Sequence, residues 1–216
     1  MPKKSRTSYF TQRGKYFGNL WVVFSLKVNK ILRLGSDRQL AHWLLNLEYS
    51  PAIKTFSFEP GTKIVHAGGV DHRIDYHVEV IPFEGPTELH VLRTDGFSES
   101  YEQNKRLAKN LKYQYLEFND EHWLPHVPKI FPLLRLSSFL NGGRNAYIPS
   151  GLVETAKLHI TTYRQGSLKS YLSAVRLYDQ NLGLLVFFRM VVESKISVSY
   201  ENTIFEMNAQ WWLNEK

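Results

Sequence analysis

Between Gly35 and Thr94 the sequence orders one amphipathic helix ahead of a run of short strands, and that order restricts the chain to mixed α/β folds. Ser36 or Asp37 is a good N-cap, and Leu40, Trp43, Leu44 and Leu47 follow at helical spacing until Ser50-Pro51 stops the run. The spacing predicts a helix of about three turns. Ile53 to Phe58 and Lys63 to His66 are each bounded by Pro or Gly and short enough to be strands, with Gly68-Gly69 as a hairpin turn. From Ile74 to Val80 apolar residues alternate with Asp75, His77 and Glu79, the period of two of a sheet with one polar face. Asp75 stands at the head of that strand. In the next one Leu89, Val91 and Arg93 alternate with Glu88, His90 and Leu92, after which Tyr101 to Leu111 reads as a second helix and Tyr113 to Phe118 as an aromatic strand.

This succession resembles the TnsA endonuclease subunits of heteromeric bacterial transposases, whose catalytic domain has the restriction-endonuclease-like PD-(D/E)xK fold. The family pattern places a Glu in a Ser-x-x-Glu helix start, an Asp at the head of the second long strand and a Glu/Gln-x-Lys on the next. Ser36-Asp37-Arg38-Gln39 falls on the first, Ile74-Asp75-Tyr76 on the second and Val91-Leu92-Arg93 on the third. Leu47-Glu48-Tyr49 followed by Pro51, and Phe56 followed by Glu59-Pro60, also look like the family's LExxP…F…QP run. The resemblance implies catalytic positions at Gln39, Asp75, Val91 and Arg93, with Asp75 as the retained metal ligand.

Chemistry at those positions is eroded. A nuclease of this class needs two or three oxygen ligands to hold Mg²⁺, which polarises the phosphate and lowers the pKa of the attacking water, while a Lys orients that water or stabilises charge. Gln39 is a neutral amide, Val91 offers no ligand, and the Arg93 guanidinium stays protonated and is no base. Glu79 shares the face of Asp75 but lies about 13 Å along the strand. Glu88 and His90 have the wrong parity unless a bulge re-aims them. The expectation is a degenerate site with no cofactor, and Mg²⁺ only if a relocated ligand set keeps the enzyme active. Arg93 then either binds a DNA phosphate bidentately or pairs at the surface with Asp95 or a neighbour.

Charge is concentrated at the N-terminus. Residues 1–36 hold eight of the 27 basic residues and none of the 20 acidic ones, so the net charge of +7 arises there. Lys3, Lys4, Arg6, Arg13 and Lys15, interleaved with Tyr9, Phe10, Tyr16, Phe17 and Trp21, suit DNA: phosphates are neutralised with counterion release while rings stack on bases. The alternative is a solvated tail whose later part, Leu20 to Leu34, forms an edge strand or two. With 43% hydrophobic residues in 216, the chain can bury the core of one large domain or two small ones. The absence of Cys excludes a disulfide framework and a thiolate zinc site. No apolar run reaches the ~18 residues of a membrane span and no signal-peptide core is present, so the expected setting is the cytoplasm, with no membrane partner, and the resemblance implies a bacterial cell and its nucleoid.

From Trp123 the pattern turns helical. His122 to Pro132, carrying Pro125, Pro128 and Pro132, reads as a stiff connector and divides the chain into a basic arm with the first strands (1–35), a restriction-endonuclease-like domain (36–122) and a winged-helix-like C-terminal domain (123–216). Helices are expected up to Leu140, over Ile148 to Tyr163, Leu168 to Leu177 and Leu184 to Val192, then a hairpin of Lys195 to Tyr200 with Thr203 to Trp212. The C-terminal part of TnsA proteins looks similar. The helix from Leu184 to Val192 leaves Arg189 as its only polar side chain, which argues against groove reading. Leu184, Phe187 and Phe188 are expected to dock a protein partner, with burial in the chain's own core as the alternative. His122 and His126 have metal-pair spacing interrupted by Pro125 and read as capped or surface histidines, and Asn141-Gly142-Gly143-Arg144 reads as a helix-ending turn.

The expected function is a TnsA-like subunit that binds double-stranded transposon ends and its partner transposase. The resemblance implies a DDE-type transposase and an AAA+ regulator as partners. Two rivals stay open: an active Mg²⁺-dependent endonuclease cutting the 5′ ends of the element, and a stand-alone DNA-binding regulator.

Overall fold

The computed structural model describes residues 20–199 and 205–214. The basic residues from Lys3 to Lys15 lie outside that range. Asn29, in the left-handed region at φ 51°, turns β1 (Trp21–Ser25) back onto β2 (Lys30–Leu34) as an antiparallel hairpin. Next comes α1 (Asp37–His42), capped by the Ser36 hydroxyl on the Gln39 N–H, and it continues as a π-helix over Trp43–Glu48. The apolar spacing is read correctly as helix, but the second half winds more loosely. The Trp43 indole donates to Glu48 at 2.9 Å, a pair five residues apart that stacks only on an i→i+5 helix.

Glu48 explains the departure. Its buried carboxylate also accepts from the Ser25 hydroxyl and from the Leu26 and Lys27 N–H groups, so it clamps the β1–β2 turn onto the helix. Burial raises its pKa against the opposing pull of those donors.

A four-stranded mixed sheet follows, in the order β3 (Ile53–Ser57), β6 (Val78–Pro82), β7 (Thr87–Leu92), β8 (Tyr113–Phe118). The first two pairings are antiparallel, and the last is parallel, with α2 (Tyr101–Asn110) as the crossover. Between β3 and β6 the chain makes the hairpin β4 (Gly61–Ala67) and β5 (Val70–Tyr76), turned at Gly68 and Gly69 with φ of 62° and 78°. The single strand expected over Ile74–Val80 is thus divided at His77. The His77 N–H bonds the His90 carbonyl and its Nδ1 accepts the Leu92 N–H, so the imidazole substitutes for a backbone partner at the bend.

The connector expected at His122 to Pro132 is helical instead: α3 (Asp120–Trp123), a 3₁₀ turn (Leu124–His126) and α4 (Val127–Gly142). Pro125 and Pro128 sit in first turns, where their missing N–H is no loss, and Pro132 is carried inside α4. Then come α5 (Ser150–Tyr163), β9 (Gln165–Ser167), α6 (Leu168–Ala174), α7 (Gln180–Val192), β10 (Ile196–Val198) and β11 (Gln210–Leu213), the strands forming an antiparallel sheet in the order β10-β11-β9.

One apolar core runs across position 123. Leu40, Trp43, Leu44 and Leu47 meet Val78 and Val80 of the sheet and continue into Leu136, Leu140, Phe187, Phe188 and Trp211. At about 1.5–3 kcal/mol per buried large side chain, this shared cluster is the main adhesive of the fold. A smaller cluster on the other sheet face joins Val65, Ile74, Leu89, Leu107 and Tyr115, holding the β4–β5 hairpin and α2. Among the described residues no helix is long and apolar enough to cross a membrane.

Candidate functional site

Three of the four sequence-predicted positions converge. Asp75, Val91 and Arg93 line a cavity of about 390 Å³ on the α2 side of the mixed sheet. Val91 and Arg93 share strand parity on β7 and its extension, and the bend at His77 delivers Asp75 from β5 to the same side. Gln39 is not there. Its side chain is buried on α1, where the amide oxygen accepts the Gly35 N–H at 2.7 Å while its own N–H is capped by Ser36. The residue at the helix-start position has become part of a cap.

Sequence reasoning missed the carboxylate of this cavity. Parallel pairing sets Glu117 of β8 directly beside Val91. The Glu117 side chain is 1% exposed and accepts the Ser98 N–H at 2.7 Å, the Ser98 hydroxyl and the Tyr115 hydroxyl at 2.8 Å. Arg93 Nε lies 3.5 Å from Glu117 Oε2, without the geometry of a hydrogen bond, while 37% of the Arg93 side chain remains exposed. The Arg93 partner is therefore Glu117 rather than Asp95. Tyr113, Tyr115 and Glu117 alternate on one face of β8, which is the signal that identifies Glu117 once the strand is known to neighbour Arg93.

Electrostatically the cavity mixes signs. Arg73, His72 and Arg93 stand against Asp75 and Glu117, with Ser100, Gln103 and Asn104 supplying neutral polar groups. Asp75 is exposed and accepts from the Thr62 hydroxyl across the hairpin. Burial pushes the His77 pKa down, partly offset by Asp75, and burial pushes the Tyr115 hydroxyl up, so both stay neutral near pH 7. No protein-family model and no curated protein matches this chain.

The donor set does not fit Mg²⁺. Glu117 is occupied by three hydrogen-bond donors and faces a guanidinium, which leaves Asp75 as the one accessible carboxylate of the cavity. Among the described residues no group of three or more His, Asp or Glu is arranged around a metal position. What the arrangement can do is hold an anion, because Arg93 keeps open N–H donors next to hydroxyl and amide side chains.

The opposite sheet face carries a second polar assembly. His42 of α1 is fully buried, with its Nε2 3.0 Å from His90 Nδ1, and His90 Nε2 lies 2.8 Å from Glu88. Burial, then the neighbouring His90 and His122, drive the His42 pKa well below its ordinary value. Glu88 and His90 keep the parity that excludes them from the Asp75 cavity. The docking residues are also accounted for: Phe187 and Phe188 of α7 are fully buried in the chain's own core, and Leu184 packs against it. The expected partner surface there is corrected to core, since the helix is enclosed by α4, α5 and α6.

Proposed function

We propose that this chain is a TnsA-like subunit of a DNA transposition machinery, binding transposon-end DNA and a DDE-type transposase through a degenerate PD-(D/E)xK domain and a winged-helix-like C-terminal part. The observation that carries this reading is the convergence of Asp75, Val91 and Arg93 on one cavity of a sheet built in the order helix, three strands, helix, parallel strand. These are three of the four positions the resemblance implies, Gln39 standing apart, and of the catalytic letters Asp75 alone is kept. Further support comes from the C-terminal succession of helix, strand, two helices and two strands closing an antiparallel sheet.

In this reading Arg93 meets a phosphate oxygen and the N-terminal basic residues neutralise flanking phosphates. The AAA+ regulator enters as a further partner by the same resemblance. The test is binding and cleavage of a labelled transposon-end duplex by the full chain, alone and with a DDE-type transposase. Binding without cleavage supports the proposal; failure to bind any duplex at low salt, with or without the transposase, rejects it.

A second reading, an active endonuclease, draws on Glu117, which stands one strand from the position where the family carries its second ligand. It requires Arg93 to leave that carboxylate.

A further inference from the structure

A second cavity, of about 480 Å³, opens between the end of the π-helix, the start of α4 and the β10–β11 strands. Its size suits a small organic ligand. Leu44, Leu133 and Val191 give it apolar walls, and the Trp212 indole at its edge is 45% exposed. Among the described residues the basic side chains lining it are His122, His126 and Lys129, with no Asp or Glu. Among the described residues Lys129 has no acidic partner. Lys129 stands in the first turn of α4.

The buried histidines fix one more group in this wall. Asn46 Nδ2, a donor, lies 3.3 Å from His42 Nδ1, which therefore accepts, so the neutral His42 donates from Nε2 to His90 Nδ1 and His90 Nε2 donates to Glu88. The chain of donors runs one way, from Asn46 to Glu88. The Asn46 nitrogen is therefore turned inward and its Oδ1 is left as an acceptor on a residue that lines the cavity. An apolar slot with an indole face, one oriented acceptor and a cationic rim is complementary to an aromatic ring bearing an amine and a phosphate.

We propose that this cavity binds a nucleotide whose base carries an exocyclic amine, the base lying against Trp212, the amine donating to Asn46 Oδ1 and the phosphate held by Lys129. The site is separate from the Asp75 cavity and stands whether or not the transposition reading holds. Its nucleotide comes either free from solution or as an unpaired terminal residue of a DNA strand.

The experiment is calorimetric titration of the full-length protein with AMP and with purine riboside 5′-monophosphate, which has the same ring without the amine. AMP is expected to bind about tenfold tighter, the loss on removing one oriented hydrogen bond in an enclosed site. Lys129→Ala should weaken AMP by about tenfold, and Asn46→Leu should level the two ligands. Absence of AMP binding, or equal affinity for the two ligands in the unaltered protein, overturns the proposal without relying on any variant. Competition of AMP by a duplex with one unpaired terminal adenosine, but not by its blunt counterpart, assigns the source to DNA ends. Competition by neither assigns it to free nucleotide.

Discussion

Val91 and Glu117 are direct neighbours across the parallel pairing of β7 and β8. The acid that position 91 lacks therefore stands one strand over, already saturated by Ser98 and Tyr115 and faced by Arg93. The charge of that buried carboxylate is faced by the Arg93 guanidinium. The consequences for the cavity are measurable.

Cleavage of a labelled duplex is expected to stay at background in Mg²⁺ and in Mn²⁺, with and without a transposase, because a lone accessible carboxylate binds such ions weakly. Asp75→Ala should leave that background unchanged. Metal-dependent cuts that disappear in Asp75→Ala would establish a working nuclease instead.

Salt dependence reports the phosphate contacts. Deleting residues 1–15 removes Lys3, Lys4, Arg6, Arg13 and Lys15, and should flatten the slope of log affinity against log salt by several units of about 0.9 per lost phosphate contact. Arg93→Ala should lower the slope by about one such unit. Fluorescence anisotropy between low and moderate salt checks both, and an unchanged slope in the deletion would remove the arm from the interface.

Glu117→Ala should destabilise the protein by about 3 kcal/mol, since it strands the Ser98 and Tyr115 donors and the Arg93 guanidinium in a half-buried site. Chemical denaturation reads the loss. A change below about 0.5 kcal/mol would mean that the loop from Ser98 relaxes freely to water.

His42 and Glu48, both buried, oppose one another in pH. His42 is held neutral, with a folded pKa below its unfolded 6.5, so its contribution is complete above that value and fades as pH falls, by up to about 1.4 kcal/mol per unit. Glu48 has a raised pKa, so its contribution is complete below 4.5 and is lost as pH rises through the raised value. Denaturant midpoints from pH 7 to 5 should fall in the unaltered protein and fall less steeply in His42→Gln. Parallel curves would show that His42 does not govern acid stability.

Heat or denaturant should unfold the described portion in one transition, because Val80, Leu140, Phe187 and Trp211 belong to one cluster. Two resolved transitions, seen by near- and far-ultraviolet circular dichroism, would contradict a shared core.

Much of this architecture is legible in the letters. The alternation around Ile74, the Gly68-Gly69 turn and the spacing of Leu40, Trp43, Leu44 and Leu47 each follow from local periodicity, although the alternating run is split at His77 into two strands and the helix ends in π winding. What escaped is set by contacts distant in sequence. Glu48 needs Ser25 and the β1–β2 turn to become a buried anchor, Gln39 is drawn into a cap by Gly35, and Glu117 acquires meaning only from the register that lays β8 along β7. Pro132 reads as a breaker, yet packing of Leu133, Leu136 and Leu140 outweighs one missing hydrogen bond. The apolar α7 is ambiguous by composition alone, since burial under a partner and burial within the chain leave the same pattern.

The loosened winding between Trp43 and Glu48 makes chain length itself a constraint. Rewinding its six residues into ordinary α geometry with none removed would over-rotate everything after it by about 100°, carrying Glu48 away from the Ser25 turn and Leu47 out of the core. Substitutions in this segment are buffered by neighbours, whereas winding and residue count have to change together if the contacts on both sides are to survive. Here the protein counts residues more strictly than it reads them.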